Sequence, residues 1–183
     1  MRILGIHGKA RSGKDTSADI IMQRYNAVKY SFAAPIKAAF ESIFGFHPDD
    51  LPPARKEENI PGFNFSPRTA LQTLGTEWGR ALNPDIWLNL ADKAATDCKL
   101  ASLNQRDYFI IPDVRFDNEA KWIKEKGGIL LEVYRDDRPD VAVHSSEAGI
   151  SVVPDYVISN NGNFNDLEDR LAVALQLAEF DAE

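Results

Sequence analysis

Short apolar runs and helical spacings alternate along this chain. Residues 1–6, 28–32, 108–112, 129–134 and 156–158 are predicted to form five strands. Three-and-four spacing of apolar positions predicts helices over residues 14–25, after Pro35, after Pro67, after Pro84, from Asn118 to Gly127, and over 167–177. Strands that alternate with helices indicate an α/β domain built around a parallel sheet.

The same spacing predicts which positions face the core. Strand 108–112 is apolar throughout, as expected of a strand that is covered on both faces. We also expect Trp87 to pack in the core. The positions expected to be buried in the first two helices are Ala18, Ile21, Met22 and Tyr25, followed by Ile36, Ala39, Phe40 and Ile43.

Residues 45–66 break this pattern. They show no apolar periodicity and carry prolines at positions 48, 52, 53 and 61, so we expect a long loop. Loops longer than about 12 to 15 residues in compact domains are usually functional or disordered. In the helix that follows, Gly75 and Gly79 cost about 1 kcal/mol each, so either the helix ends near them or something packs closely against it.

Composition narrows the class of protein. A length of 183 residues suits one domain, and 44% apolar residues are ample for a buried core. The net charge of -7 argues against a protein that binds nucleic acid, although binding a nucleotide needs only local basic residues. Cys98 is the only cysteine, which favours a reducing compartment. No apolar stretch reaches the ~20 residues of a membrane span, so we expect a cytoplasmic protein without a membrane partner.

The segment between the first strand and the first helix has the pattern of a phosphate-binding loop. Gly8 and Gly13 stand five residues apart and are followed by Lys14, which is expected to bridge the terminal phosphates of a nucleoside triphosphate. Glycines let such a loop turn backbone N–H groups onto phosphate oxygens, and the positive end of the next helix faces the same phosphates. The residues expected to hold the phosphates are Gly8, Lys9, Ala10, Arg11, Ser12, Gly13, Lys14, Asp15 and Thr16.

One position departs from this pattern. Asp15 follows the lysine where a hydroxyl residue is usual, and the hydroxyl appears one residue later at Thr16. Asp15 is expected to bind Mg²⁺ directly or through water, or to lie near the acceptor oxygen. The alternative is that its charge only complements the positive helix end, which is worth about 0.3 to 1 kcal/mol. Asp113, at the tip of strand 108–112, is a further expected ligand of Mg²⁺ or its waters.

A highly charged stretch follows strand 129–134. It carries Arg135 and Arg138, and arginines that close on a phosphoryl group match what phosphoryl transfer requires. We interpret the stretch as a lid. A salt-bridged surface loop is the alternative.

Several residues are candidates for binding a second substrate. Ligands of parallel sheets bind beyond the carboxyl ends of the strands, which places Phe32, Ala33 and Lys37 near such a site. A solvated surface lysine is the alternative for Lys37. The other candidates are Arg68, Gln72 and Thr76 on one helix face, together with Trp78, Arg80 and Arg115.

Five stretches together resemble the bacteriophage deoxynucleoside monophosphate kinases, within the P-loop nucleoside monophosphate kinase superfamily. They are GKARSGKDT at residues 8–16, SFAAPIK at 31–37, LQTLGTEWGR at 71–80, DVRFDNE at 113–119 and NNG at 160–162. The phosphate loop is typical of the whole superfamily, whereas the stretches at 71–80 and 113–119 are much narrower signals. The position of Asp15 looks like the habit of this family.

The resemblance implies ATP, Mg²⁺ and a deoxynucleoside monophosphate acceptor, with broad tolerance of the base. It implies a three-layer α/β sandwich around a five-stranded parallel sheet of order 2-3-1-4-5. We expect a single kinase domain over residues 1–183, with an acceptor-binding insertion at about 32–82 and a lid at about 135–150. For a phage-encoded enzyme the location is the host cytoplasm. The oligomeric state stays open, a homodimer included.

The resemblance also assigns roles to the candidate residues. Lys14, Asp15, Arg135 and Arg138 are the expected catalytic residues, and Asp15, Thr16 and Asp113 the expected metal ligands. Lys37, Arg68, Arg80 and Arg115 are the candidates for holding the acceptor phosphate. Asn160, Asn161 and Gly162 are expected to border the adenine of ATP.

Two other functions remain open from the sequence. One is a kinase of another phosphorylated small molecule, similar to phosphomevalonate kinase. Its acceptor would need no slot for a base, whereas Phe32, Phe63, Phe65 and Trp78 can supply one here. The other is a nucleotide-binding switch without an acceptor, although the chain lacks the Asn-Lys-x-Asp run that commonly reads guanine.

Overall fold

The computed structural model describes residues 1–103, 105–136 and 150–181. The chain divides into two compact units. The first, here called the sheet unit, contains Met1–Ser31 and Asp92–Glu183. The second, here called the insert unit, contains Phe32–Ala91. In the described ranges, every helix is too short or too polar to span a bilayer.

The sheet unit is built on five parallel strands. Their order is β2-β3-β1-β4-β5, which confirms the predicted order and the α/β class. The register places Ile3 beside Phe109 and Leu4 beside Ile129, so β1 lies in the middle of the sheet. The strands are β1 (Arg2–His7), β2 (Ala27–Lys29), β3 (Tyr108–Ile111), β4 (Ile129–Tyr134) and β5 (Tyr156–Ser159).

Helices connect these strands and form the insert unit. A π-helical segment, Thr73–Gly79, joins α3 to α4, and two short 3₁₀ turns, Pro48–Asp50 and Pro53–Lys56, follow α2. The helices are α1 (Lys14–Arg24), α2 (Ala34–Phe44), α3 (Pro67–Gln72), α4 (Arg80–Leu82), α5 (Ile86–Ala101), α6 (Asp117–Glu125) and α7 (Phe164–Phe180).

Both faces of the sheet are covered by helices. Successive residues of a strand point to opposite faces, so each strand contributes side chains to both layers of packing. On one face Leu4 and Ile6 join a core to which α1 contributes Ile21 and α7 contributes Leu171. On the other face α6 packs so closely that a Cβ at Gly5 would lie 2.3 Å from the Cδ1 of Ile123. The predicted three-layer arrangement is therefore confirmed.

The predicted buried face of α1 is wrong at one position. Ala18 and Ile21 are buried as expected, but the side chain of Met22 is 40% exposed. Ser17 and Ile20 are buried instead, so the face that meets the core is centred about one residue earlier on the helix. Tyr25 is half-buried and its ring meets that of Tyr108 edge to face at 5.3 Å.

In the insert unit, aromatic contacts decide which face of α2 is covered. Phe40 is fully buried and packs against Phe44 at 4.6 Å and Phe46 at 5.3 Å between ring centroids. Phe44 in turn contacts Phe63. The covered face therefore runs through positions 40 and 44. The predictions that Ala39 and Ile43 are buried are wrong, since Ala39 is exposed and Ile43 is 63% exposed.

Strand β2 ends earlier than predicted. The expected strand ran to residue 32, but the observed one ends at Lys29, and the N–H of Tyr30 donates to the carbonyl of Ile110. After Tyr30, the hydroxyl of Ser31 donates a hydrogen bond to the carboxylate of Asp113, and Phe32 is buried in the insert unit.

Candidate active site

The segment after β1 forms a tight loop. Gly8, Arg11 and Gly13 have φ angles of 139°, 63° and 95°, which lie in the region that favours glycine. A Cβ at Gly8 would lie 2.1 Å from the carbonyl oxygen of Val133, so only glycine fits there. Helix α1 begins at Lys14, and its N-terminal end faces the loop. This is the strand, loop and helix arrangement of a phosphate-binding loop.

The side chain of Lys14 stays at this loop. Its ammonium group donates hydrogen bonds to the carbonyls of Gly8 at 2.8 Å and Lys9 at 2.9 Å. The positive charge is thereby placed beside the backbone N–H groups and the positive end of α1. All three features attract the same anion.

Three buried polar atoms lie in or next to the loop. The Oγ atoms of Ser12 and Ser17 and the Nε2 of His7 have no hydrogen-bond partner among the described residues. Burial lowers the pKa of His7; the charge of Glu132 opposes this shift, and that of Lys14 adds to it. His7 is therefore neutral at pH 7 and adds no charge to the site.

Asn160, which follows β5, contacts the loop directly. Its side-chain Nδ2 donates to the carbonyl of Ser12 at 2.8 Å, and its backbone N–H donates to Tyr134 at the end of β4. A Cβ at Gly13 would lie 2.3 Å from this Nδ2. The sequence predicted contact with adenine for this residue and did not predict contact with the loop.

The neighbouring Asn161 has a different partner. Its Oδ1 accepts the backbone N–H of Asp136 at 2.8 Å, and its Nδ2 donates to the Asp136 carboxylate. The loop after β5 thus joins the phosphate loop, through Asn160, to the residues just after β4. Gly162 packs against Asp166 at the start of α7.

The predicted metal ligands lie on two elements of the sheet unit. Asp15 and Thr16 are exposed in the first turn of α1. Asp113, just after β3, accepts a hydrogen bond from the hydroxyl of Ser31 at 2.6 Å. Among the described residues no group of three or more His, Cys, Asp or Glu side chains is placed to hold a metal ion alone.

Glu119 is a residue whose role the sequence did not reveal. Its side chain is only 2% exposed, and its Oε2 accepts the backbone N–H groups of Arg115 at 2.7 Å and Phe116 at 3.1 Å. The N–H of Val114 meanwhile donates to Ile6 of β1. These bonds fix the turn that carries Asp113 and Arg115. The spacing of three residues between Phe116 and Glu119 is the signal that a helix-capping pattern would have given.

The insert unit carries most of the predicted acceptor-binding residues. Lys37 pairs with Asp49 at 2.7 Å, Arg68 pairs with Glu57, and Arg80 donates to the carbonyl of Pro84 at 3.2 Å. Gln72 and Thr76 are half-buried, Trp78 is exposed, and Phe32 is buried. Ala33 precedes the first turn of α2.

The structure describes one of the two arginines of the predicted lid. Arg135 directly follows β4 and is exposed. Arg138, like most of the predicted lid, lies outside the described residues. Its role therefore stays a prediction.

A parallel sheet of order 2-3-1-4-5 with a phosphate-binding loop after its central strand defines a P-loop kinase. A solved structure with this fold is TT1252 from Thermus thermophilus. Its superposition covers 97% of this chain and 97% of that chain, with a TM-score of 0.54 and 19% sequence identity. That likeness shows the fold alone.

The sequence of this chain matches the family model of the deoxynucleotide monophosphate kinases over residues 2–51 and 54–171. The chain belongs to this family.

Curated relatives include a "Putative deoxynucleotide monophosphate kinase" of Acanthamoeba polyphaga mimivirus, 31% identical over 88% of this chain and 89% of that protein. The deoxynucleotide monophosphate kinase of Enterobacteria phage T4 is 24% identical over 97% of this chain and its own full length. These findings confirm the predicted family and the predicted activity, an ATP-dependent kinase that acts on deoxynucleoside monophosphates.

Proposed function

We propose that the loop at residues 8–16 binds the triphosphate of ATP and that Lys14 carries the catalytic charge. The observation that carries this proposal is the position of the Lys14 ammonium on the carbonyls of Gly8 and Lys9, beside the N-terminus of α1. Phosphoryl transfer needs positioning and neutralisation of charge more than covalent help from the protein. A fixed cation at the loop supplies that neutralisation.

Mg²⁺ fits the residues beside this loop. Mg²⁺ takes oxygen ligands, keeps several waters and is usually held by one or two protein groups together with substrate phosphates. The Thr16 hydroxyl and the Asp15 and Asp113 carboxylates are such oxygens, so a cluster of three protein ligands is not required. The bound ion would neutralise charge on the phosphates, while Ser31 orients Asp113 through its 2.6 Å hydrogen bond.

The insert unit is proposed as the acceptor-binding region of a single kinase domain. Its cations Lys37 and Arg68 are held by Asp49 and Glu57, with exposed carboxylates that water screens. A dianionic phosphate competes well for such cations, because exposed ion pairs contribute only about 0 to 1 kcal/mol. Arg80 and Arg115 are the further candidates for the acceptor phosphate.

The enzyme is proposed to prefer 2′-deoxy monophosphates over the corresponding ribonucleotides. Trp78 offers an exposed ring, and an apolar face against the sugar would leave a ribose 2′-hydroxyl without a partner. An unsatisfied buried polar group costs about 1 to 3 kcal/mol, which predicts a preference on the order of tenfold to a hundredfold. The free thiol of Cys98 is consistent with action in a reducing cytoplasm.

Paired acceptors test this proposal. With saturating ATP and Mg²⁺, kcat/KM is measured for dGMP against GMP and for dCMP against CMP, because specificity constants compare transition states from the same free enzyme. We expect the deoxy member of each pair to be preferred. Equal constants would overturn the deoxy preference, and inactivity with all four would overturn the acceptor class.

Lys14→Ala tests the donor assignment in the same assay. Turnover should fall at least about 10²-fold, as it does when other electrostatic transition-state contacts are removed. The control is Lys93→Ala on the exposed side of α5, which removes an equal charge. Near-normal turnover of a well-folded Lys14→Ala protein would refute the role of Lys14.

A further inference from the structure

The helical stretch that carries Gln72, Thr76 and Arg80 is not a regular α-helix. Its middle, Thr73–Gly79, is a π-helix flanked by α3 and α4. A π-helix pairs residues five apart. It occurs mostly as a single turn inside an α-helix, often at a functional site, and longer π segments are rare. A segment of this length therefore needs contacts that hold it in place.

The indole of Trp87 supplies such a contact. Its Nε1–H donates a hydrogen bond to the carbonyl of Gly75 at 2.8 Å, and the bond is buried. Gly75 lies inside the π segment, and Trp87 is 6% exposed in the first turn of α5. The bond thus ties the π segment to the next helix along the chain.

Gly79 makes room for the Trp87 ring against the π segment. Gly79 has φ -62° and ψ -50°, angles that every residue adopts in a helix, so its backbone does not require glycine. A Cβ there would nevertheless lie 2.3 Å from the Cζ2 of Trp87. At Gly75 a Cβ would lie 2.8 Å from the Cδ1 of Ile36. Close packing against the Trp87 ring, and not backbone conformation, accounts for Gly79, whereas the atom near Gly75 is the tip of a flexible side chain.

The π segment changes the direction of the side chains that follow it. One extra residue in a helical turn rotates later residues by about 100° relative to an uninterrupted α-helix. Gln72 stands before the segment and Arg80 after it. Their relative orientation therefore depends on the π geometry, and Arg80 is then held at the carbonyl of Pro84.

We propose that Trp87 is a positioning residue for the acceptor: its indole N–H holds the π segment, and the π segment aims Arg80 relative to Gln72 and Thr76. This inference rests on the proposed function, which gives Arg80 to the acceptor phosphate, and on the sequence pattern, which makes Gln72 and Thr76 candidates for the same substrate. Trp87 touches neither substrate in this role. It acts through the Gly75 carbonyl.

The test is Trp87→Phe, which keeps an aromatic ring and removes the donor. We expect the KM for dGMP to rise about fivefold to a hundredfold, since a buried carbonyl loses its partner, while the KM for ATP stays within about twofold. Trp122→Phe on α6 is the matched control, because it makes the same substitution in the sheet unit and should move neither constant.

A second variant separates positioning from stability. Benzothienylalanine, incorporated at position 87 by amber suppression, keeps the bicyclic shape and replaces the N–H with sulfur. It should reproduce the rise in the KM for dGMP even if Trp87→Phe unfolds. An unchanged KM for dGMP, or equal rises in both KM values, would overturn the inference. A wild-type protein that phosphorylates no deoxynucleoside monophosphate would instead overturn the proposed function.

Discussion

The side-chain amide of Asn160 holds the carbonyl of Ser12 at 2.8 Å, across 148 residues of sequence. In a trans peptide the C=O and the following N–H point in opposite directions. Because the Ser12 carbonyl is turned toward Asn160, the N–H of Gly13 is turned away from it. This contact fixes one donor of the phosphate loop before any ligand binds.

Asn160→Ala should therefore weaken ATP binding. Removing the amide frees the peptide between Ser12 and Gly13, and a lost hydrogen bond of this kind is worth about 0.5 to 1.5 kcal/mol. We expect the KM for ATP to rise about twofold to tenfold, with a smaller change in the KM for the acceptor. Steady-state kinetics of both substrates measures this.

Asn165→Ala is the matched control for that experiment. Its side chain is exposed in the first turn of α7. If Asn160→Ala and Asn165→Ala gave the same KM for ATP, the Ser12 contact would have no role in donor binding.

Local backbone structure, which depends on residues adjacent in the sequence, was predictable from the sequence. The positive φ angles of Gly8 and Gly13 follow from a pattern of seven residues, and the strand β4 was predicted with its observed bounds. The contacts of Asn160 with Ser12 and of Trp87 with Gly75 were not predictable, because each joins residues that only the tertiary fold brings together.

The errors have the same origin. Periodicity predicts one apolar face per helix, but it does not say how wide that face is or where its centre lies. Met22 stands at the edge of the buried face of α1, and Ile43 loses its place to an aromatic cluster around Phe40 and Phe44. Both residues are apolar and exposed, which the sequence alone does not distinguish from apolar and buried.

Stability should depend on the protonation of His7. In the unfolded chain a histidine takes up a proton near pH 6.5, whereas burial lowers the pKa of folded His7 below that value. Between the two pKa values the unfolded state binds more protons, so the free energy of unfolding falls as the pH falls below about 6.5. We expect His7→Gln to lose less stability than wild type between pH 7 and pH 5.

Urea unfolding at several pH values measures this difference. Gln23→Ala on the exposed side of α1 is the control, since it removes a side chain that does not titrate. It should keep the wild-type slope of stability against pH. A wild-type slope in His7→Gln as well would show that His7 does not titrate with unfolding.

Glu119 should stabilise the turn between β3 and α6. Its carboxylate is buried and accepts two backbone N–H groups, from Arg115 and Phe116. Glu119→Ala removes the acceptor of both bonds, at a cost of about 1 to 3 kcal/mol, whereas Glu119→Gln retains an acceptor and should cost less. Urea unfolding gives both values, with exposed Glu125→Ala on the same helix as the control.

The same variants report on the site. The turn carries Asp113 and Arg115, which are proposed for Mg²⁺ and the acceptor phosphate, so Glu119→Ala should also lower kcat/KM under conditions where it remains folded. Glu119→Gln should recover part of that loss. Full activity of folded Glu119→Ala would mean that the turn keeps its shape without the carboxylate.

The lid arginines should act in the transition state. Arg135 is exposed at the end of β4, next to Asp136, whose N–H is held by Asn161. An exposed cation that meets the phosphoryl group only during transfer contributes to turnover and little to ground-state binding. Arg135→Ala and Arg138→Ala should therefore each lower kcat about 10²-fold or more and change the KM for ATP little.

The comparison for these variants is Arg24→Ala, which removes an arginine from the far end of α1, where it pairs with Glu168 at 2.8 Å. It should leave kcat within about twofold, because an exposed ion pair of this kind is worth at most about 1 kcal/mol of stability and does not touch the loop. Initial rates at saturating ATP and dGMP give kcat, and ATP titrations give KM. If the two lid variants raised the KM for ATP and kept kcat, the arginines would bind the ground state, since a contact made equally before and during transfer does not change turnover.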